Sequence, residues 1–174
     1  MTASLEKRVL AVDPGTGVVG YAVLAWREGE ARILEASVLR LGRREGQAAR
    51  LLALHRGLCE VIARCQPEEV AVEEAFFAKN ARSALKLGEA RGVVLLTAAQ
   101  EGLPVFEYTP AEVKQAVVGY GGASKQQVQR MVATRLGLPS LPRPYDVADA
   151  LAIALCHCQR ENGSQKDLTS GQRE

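Results

Sequence analysis

The sequence predicts an α/β domain on a mixed five-stranded sheet flanked by helices. Three observations lead there. The apolar run RVLAVD (8–13) has strand length, and two more strand-like runs follow it across short turns. Beyond Glu45 the apolar spacing lengthens to three and four residues, the helical period. From there helical and strand-like segments alternate, which calls for parallel pairing and right-handed crossovers.

Taken in order, the first run ends at Asp13 and the glycine-punctuated turn PGTGVVG follows. YAVLAW and, after REGEA, RILEASVLRL complete a hairpin-linked trio. From about Glu45 to Cys65, Leu51, Leu54, Leu58, Val61, Ile62 and Cys65 form one stripe. Arg50, Arg56, Glu60 and Arg64 are left facing outward, and Pro67 closes the helix. His55 borders the stripe and reads as packed or half-exposed. VAVEE (70–74) is a short buried strand that again ends in acid.

Asn80 caps a helix that runs to about Glu101. Leu85, Gly88, Gly92, Leu95, Leu96 and Ala99 fall near one face of it, and glycines four apart allow a second backbone to approach. LPVFEY (103–108) is the last strand. Thr109 and Glu112 form a capping box with Pro110 at the first helical position, and Ser124 and Gln127 repeat the box. GLPSLPRP (137–144) is a rigid connector ahead of a helix from about Tyr145 to Arg160. The polar, aperiodic stretch from Glu161 reads as a disordered tail, giving one domain over 1–160 and a tail over 161–174.

The 174 residues suit one domain, and 47% hydrophobic content is enough for a core without disulfides or a structural metal. No apolar run is long enough for a membrane span, and the start lacks a signal peptide's apolar stretch. A cytoplasmic protein with its four cysteines reduced is therefore expected. Cys156-His157-Cys158 alternates along a helix, so packing is preferred to metal binding.

The net charge of +2 conceals the informative split: among 20 acids, only Asp13, Asp146, Asp149 and Asp167 are aspartates. Asp13 ends the first strand and Glu73 ends the fourth. Asp146 and Asp149, three apart, share one face of the last helix's first turn. Open sheets bind ligands beyond the carboxyl ends of their strands. If that helix face meets those ends, four carboxylates converge, and repulsion would protonate some of them unless divalent cations are present. Mg²⁺ or Mn²⁺, held as a pair about 4 Å apart, is the recurring machinery of phosphodiester cleavage. Singly, each acid has an ordinary explanation as turn chemistry or helix capping. DPGTG (13–17) also looks like the first phosphate loop of actin-like ATP-dependent phosphotransferases, a fold that needs two duplicated domains where this chain supplies one.

Four segments taken together resemble the RuvC family, bacterial endonucleases that resolve Holliday junctions. They are AVDPGTGVVGYAV (11–23), VAVEEAFFAKNARSALKLGEARGVV (70–94), PVFEYTPAEVKQAVVGYGGASKQQVQRMV (104–132) and DVADALAIALCHC (146–158). They run in family order and cover nearly everything before the tail. The resemblance implies a ribonuclease H-like fold and a homodimer making paired symmetric nicks in a four-way DNA junction, with two Mg²⁺ or Mn²⁺ ions per site. It implies Asp13, Glu73, Asp146 and Asp149 as catalytic metal ligands, Lys114 and Lys125 as phosphate contacts, and Phe76 as the aromatic that stacks on an unpaired base. It also suggests the branch-migration proteins RuvA and RuvB as partners. Two positions depart from the pattern: Glu74, where the family often has an uncharged residue, and Asp146, where some members have His.

The residues support these roles physically. Lys79, Arg82, Lys86 and Arg91 outweigh Glu89, and Lys114, Lys125, Arg130 and Arg135 outweigh Glu112. Such stripes attract phosphate without regard to sequence. Phe76 and Phe77 would face opposite ways on an extended exit, so one can stack on a base for roughly 1–3 kcal/mol. The residues alone do not choose between them; the resemblance favours Phe76. Gly88 and Gly92 could seat against a symmetry mate or against the chain's own sheet. A further alternative is a junction-binding module of this fold without chemistry.

Overall fold

Strand β1 (Lys7–Asp13) occupies the middle of the sheet, as a run apolar on both faces requires. Val9, Leu10, Ala11 and Val12 are all buried. β1 pairs antiparallel with β2 (Val18–Arg27), which pairs antiparallel with β3 (Glu30–Arg40). Glu28 and Gly29 turn the second hairpin, both at positive φ, as a two-residue turn matched to strand twist demands. On its other edge β1 pairs parallel with β4 (Glu69–Glu73), and β4 pairs parallel with β5 (Val105–Tyr108). The order is β3-β2-β1-β4-β5, the expected mixed five-stranded sheet. The computed structural model describes residues 6–42, 46–74 and 80–170, with side chains through Glu161.

Helices α1 (Gln47–Cys65) and α2 (Ala81–Gln100) cover one face, where Leu54, Leu58, Val94 and Ala98 meet Leu10, Val12 and Val70. Helices α3 (Pro110–Val118), α4 (Lys125–Arg135) and α5 (Tyr145–Ser170) cover the other, packed on Val9, Ala11 and Ala71. Both expected capping boxes form, with Pro110 at the start of α3. Asn80 accepts from the Ser83 N–H and caps α2. α5 runs on to Ser170, past the end expected near Arg160, so the stretch read as a tail begins as helix. Its polar stretch 159–165 includes only one glycine and no proline to stop it. Among the described residues, no helix is long and apolar enough to cross a membrane.

A buried polar chain ties α5 to the sheet. His157 is wholly buried; its Nδ1 lies 2.7 Å from the Tyr108 hydroxyl and its Nε2 2.7 Å from Glu69. In the neutral ring, Nε2–H donates to Glu69 while Nδ1 accepts from Tyr108. Lys7 continues the chain to Glu69 at 3.2 Å, and the rings of Trp26 and Phe106 enclose the imidazole. Both neighbouring cysteines, Cys156 and Cys158, are buried in the core.

On the opposite face Glu35 of β3 accepts from Arg64 of α1 at 2.6 Å and from the Tyr21 hydroxyl at 2.6 Å. Hydrogen bonds from Arg64 and Tyr21 hold its carboxyl at about 2, below the ordinary 4.5. A carboxyl depressed by folding stabilises the native state above its unfolded value and loses that contribution as pH falls. Acid unfolding should therefore steepen between pH 4.5 and about 2 in the wild type, and Glu35→Gln should flatten that interval. Parallel stability curves for the two proteins would show that the network contributes nothing.

Candidate active site

Asp13 and Glu73 end adjacent parallel strands, one step beyond the paired Val12 and Val72. By strand alternation each shares the face of Ala11 and Ala71, the face that α5 covers. Asp146 and Asp149 sit in the first turn of α5, and Val147, Ala148 and Ala150 beside them are buried. The four expected carboxylates thus come to one end of the sheet from three elements.

The close fit of α5 depends on Gly20. In the β1–β2 ladder Gly20 is the partner of Asp13, and a Cβ built on it would lie 2.0 Å from the Asp146 carbonyl oxygen. Only a residue without a side chain lets the first turn of α5 lie on β2 there. The sequence pattern assigns Gly20 to the turn, whereas it belongs to the strand. The available signal is a lone glycine bordering an apolar run, the mark of close backbone approach.

Three of the acids act on Asp13, and Asp149 acts on Glu73. Burial holds the Asp13 carboxyl well above its ordinary value, and the charges of Asp149, Glu73 and Asp146 add to the effect, with Lys125 opposing. Glu73 is raised as well, first by burial and then by Asp149, while Lys125 and Lys114 oppose. Lys125, the first residue of α4, donates to Asp149 at 3.1 Å. Desolvation, the largest single effect, works to lower the pKa of its ammonium, but Asp149, Asp13 and Asp146 together leave it raised.

A donor set of four carboxylate groups, two of them raised by burial and then by like-charged neighbours, suits a hard divalent cation. As the side chains stand, no three among the described residues form a ready coordination shell. The arrangement is one in which countercharge is lacking and Lys125 supplies part of it.

The other expected residues divide. Lys114, half-buried on α3, and Lys125 both act on the carboxylate cluster. Arg82 and Lys86 lie in the first turns of α2, and neither forms an ion pair with the four acids among the described residues. Phe76, Phe77 and Lys79 lie outside the described residues. A Cβ on Gly88 or on Gly92 would meet nothing within 4 Å among the described residues, so neither glycine seats against the chain's own sheet.

The family model for crossover junction endodeoxyribonuclease RuvC matches residues 9–157. The chain belongs to the RuvC family. A RuvC from Moorella thermoacetica is 55% identical over 149 residues, 86% of this chain and 89% of that protein. One from Pelotomaculum thermopropionicum is 51% identical over 158 residues, 91% of this chain and 96% of that protein. The solved structure of T. thermophilus RuvC in complex with Holliday junction substrate superposes with a TM-score of 0.85 at 41% identity, covering 91% of this chain and 96% of that one. The yeast mitochondrial Holliday junction resolvase Ydc2, 13% identical with a TM-score of 0.65, shares the fold alone. The architecture is that of the ribonuclease H-like resolvases.

In this RuvC chain Gly20→Ala should push the first turn of α5 off β2. Expected are a stability loss of about 1–3 kcal/mol and a fall in junction cleavage of about 100-fold. Thermal unfolding and a single-turnover cleavage assay measure the two. Wild-type cleavage in the variant would show that Gly20 does not position Asp146 and Asp149.

Proposed function

We propose that this chain resolves four-way DNA junctions by paired symmetric nicks, with Asp13, Glu73, Asp146 and Asp149 as its catalytic metal ligands. The endonuclease activity itself follows from family membership across most of the chain. The observation that carries the site is that Asp13 and Glu73, both held high first by burial, are raised further by acids from distant segments: Asp13 by Asp149, Glu73 and Asp146, and Glu73 by Asp149. A structural acid gains nothing from three like charges; a cation site requires them. A divalent cation, Mg²⁺ or Mn²⁺ and two per site in our reading, supplies Lewis acidity for the attacking water and countercharge for the departing oxygen.

The chain's own residues do the rest. Asp13 and Glu73 are fixed by strands, so their separation changes little when substrate arrives. Asp146 and Asp149 arrive on a helix anchored by its long buried face. Lys125, 69% exposed, and Lys114 present ammonium groups beside the acids to the phosphate being cut. In-line displacement there leaves a 5′-phosphate and a ligatable nick. Arg82, Lys86 and Lys79 extend the phosphate contacts along the neighbouring arm, and Phe76 stacks on a base near the junction centre.

Two nicks need two sites. The outer face of α2 offers a surface for a second copy: Leu85 is 65% exposed and Leu96 57%, and the open Gly88 and Gly92 lie on the same stripe. A two-fold pairing of this stripe would use one patch twice and place two active sites about the axis.

The test is a labelled synthetic four-way junction with and without Mg²⁺ or Mn²⁺. Paired symmetric nicks that depend on the cation are expected. Asp13→Asn, Glu73→Gln or Asp149→Asn should each reduce nicking by at least about 100-fold while junction binding persists. A variant that nicks at the wild-type rate removes that residue from the site, and unpaired nicks would contradict the dimer.

A further inference from the structure

Helix α4 buries a polar side chain on an otherwise apolar face. Val128, Val132 and Ala133 are buried there, and Gln129 beside them is only 5% exposed. A buried amide is costly unless it is hydrogen-bonded, and an apolar side chain of that size would avoid the cost. The amide has a defined partner: its Nε2 donates to the Pro142 carbonyl at 2.8 Å. Thr97 and His157, the other buried polar side chains among the described residues, bond within and between helices and strands. Gln129 reaches an irregular segment instead.

That segment leads from α4 into α5. It contains Pro139, Pro142 and Pro144, which have no backbone N–H to pair with the rest of the domain. Two residues past the Pro142 carbonyl, the Pro144 carbonyl accepts from the Val147 N–H at 3.1 Å and closes the first turn of α5 around Asp146. The bond from Gln129 is therefore made where the connector passes into the turn that carries Asp146 and Asp149. Four residues before Gln129, Lys125 donates to Asp149 at 3.1 Å. Positions four apart share a helix face, so one face of α4 holds both the acidic turn and the chain leading into it. On its other side the turn rests on β2, where Gly20 leaves room for the Asp146 carbonyl.

We propose that Gln129 is a positioning residue of the nuclease reaction. By holding the Pro142 carbonyl it fixes where the first turn of α5 begins, and so sets Asp146 and Asp149 at their spacing from Asp13 and Glu73. The inference rests on the reading of these four acids as a cation site. Asp13 and Glu73 are fixed by strands, whereas Asp146 and Asp149 arrive on a helix end approached through a proline-rich connector. Carboxylates that repel one another separate unless their backbones are restrained. Gln129 touches none of the four; it acts through the backbone that carries two of them.

The experiment compares wild type, Gln129→Met, Gln129→Lys and Ile62→Val. Met is close to Gln in size and has no donor, whereas Lys keeps a donor on an apolar stem. The Lys head can reach water, because Gln129 lines an open cleft of about 510 Å³ with Arg143, Pro144 and Tyr145. Ile62→Val trims the core on the opposite sheet face and serves as the control for a lowered Tm. Mn²⁺ binding is measured by calorimetry, junction affinity by anisotropy without metal, and cleavage as a single-turnover rate at saturating enzyme.

Gln129→Met should bind the junction as wild type does, yet lose about 10–100-fold in Mn²⁺ affinity and in cleavage rate. Gln129→Lys should stay near wild type in both, and Ile62→Val should change neither below its Tm. Wild-type Mn²⁺ affinity and rate in Gln129→Met overturns the role. So does an equal loss in Gln129→Met and Gln129→Lys, which would make the position one of shape alone. If Gln129→Met does not fold, Gln129→Lys decides: wild-type values support the donor, and their loss in a folded protein overturns it. A wild type that neither binds Mn²⁺ nor nicks a junction brings down the cation-site reading as well; a Gln129→Met indistinguishable from an active wild type brings down this inference only.

Discussion

Asp13 is desolvated at one end of the sheet and stands within Coulombic reach of three other carboxylates, Asp149, Glu73 and Asp146. Like charges gathered in a low-dielectric cleft oppose folding, so the rest of the molecule must hold α5 onto the sheet against them. Much of the fold can be understood as that restraint. The apolar length of α5 from Val147 to Cys158 is buried almost without a break. His157 fastens its far end between Tyr108 and Glu69, and Gly20 removes the side chain that would otherwise separate its first turn from β2. Lys125 offsets part of the repulsion directly.

The charge pattern follows from the same constraint. A net charge of +2 looks featureless, yet four of the 20 acids gather at one end of the sheet with Lys114 and Lys125 beside them. Lys114 and Lys125 flank the carboxylates on the α3–α4 side. In the proposed reading, negative charge serves the cation and positive charge serves the polymer to be cut. The exposed Leu85 and Leu96 of α2 lie outside both the core and the carboxylate site, and in the proposed reading they meet a second copy.

What the sequence showed best was local. The capping boxes at Thr109 and Ser124 and the strand runs ending in Asp13 and Glu73 are written within a few residues, and all appear where expected. The carboxylates were legible because each sits at an element end, where topology brings them together. Contacts across long sequence distances were not. Gly20 meets the backbone of Asp146, far along the chain, and nothing near either residue announces the other. Arg50 was misread for a related reason: its place on the helical wheel says outward, while its side chain is half-buried with a terminal nitrogen beside Gly17. The helix past Arg160 was missed because a polar stretch without periodicity carries helix-compatible residues as readily as disordered ones.

The central claim is that these acids are assembled at a cost to stability and relieved by a divalent cation, and thermal unfolding of wild type and Asp13→Asn with and without Mn²⁺ tests it most directly. Without metal, Asp13→Asn should unfold at a higher temperature than wild type, by about 2–4 °C for each kcal/mol of repulsion relieved. Mn²⁺ should raise the wild-type Tm and leave the variant nearly unmoved. A variant no more stable than wild type without metal, or one that responds equally to Mn²⁺, would contradict the account.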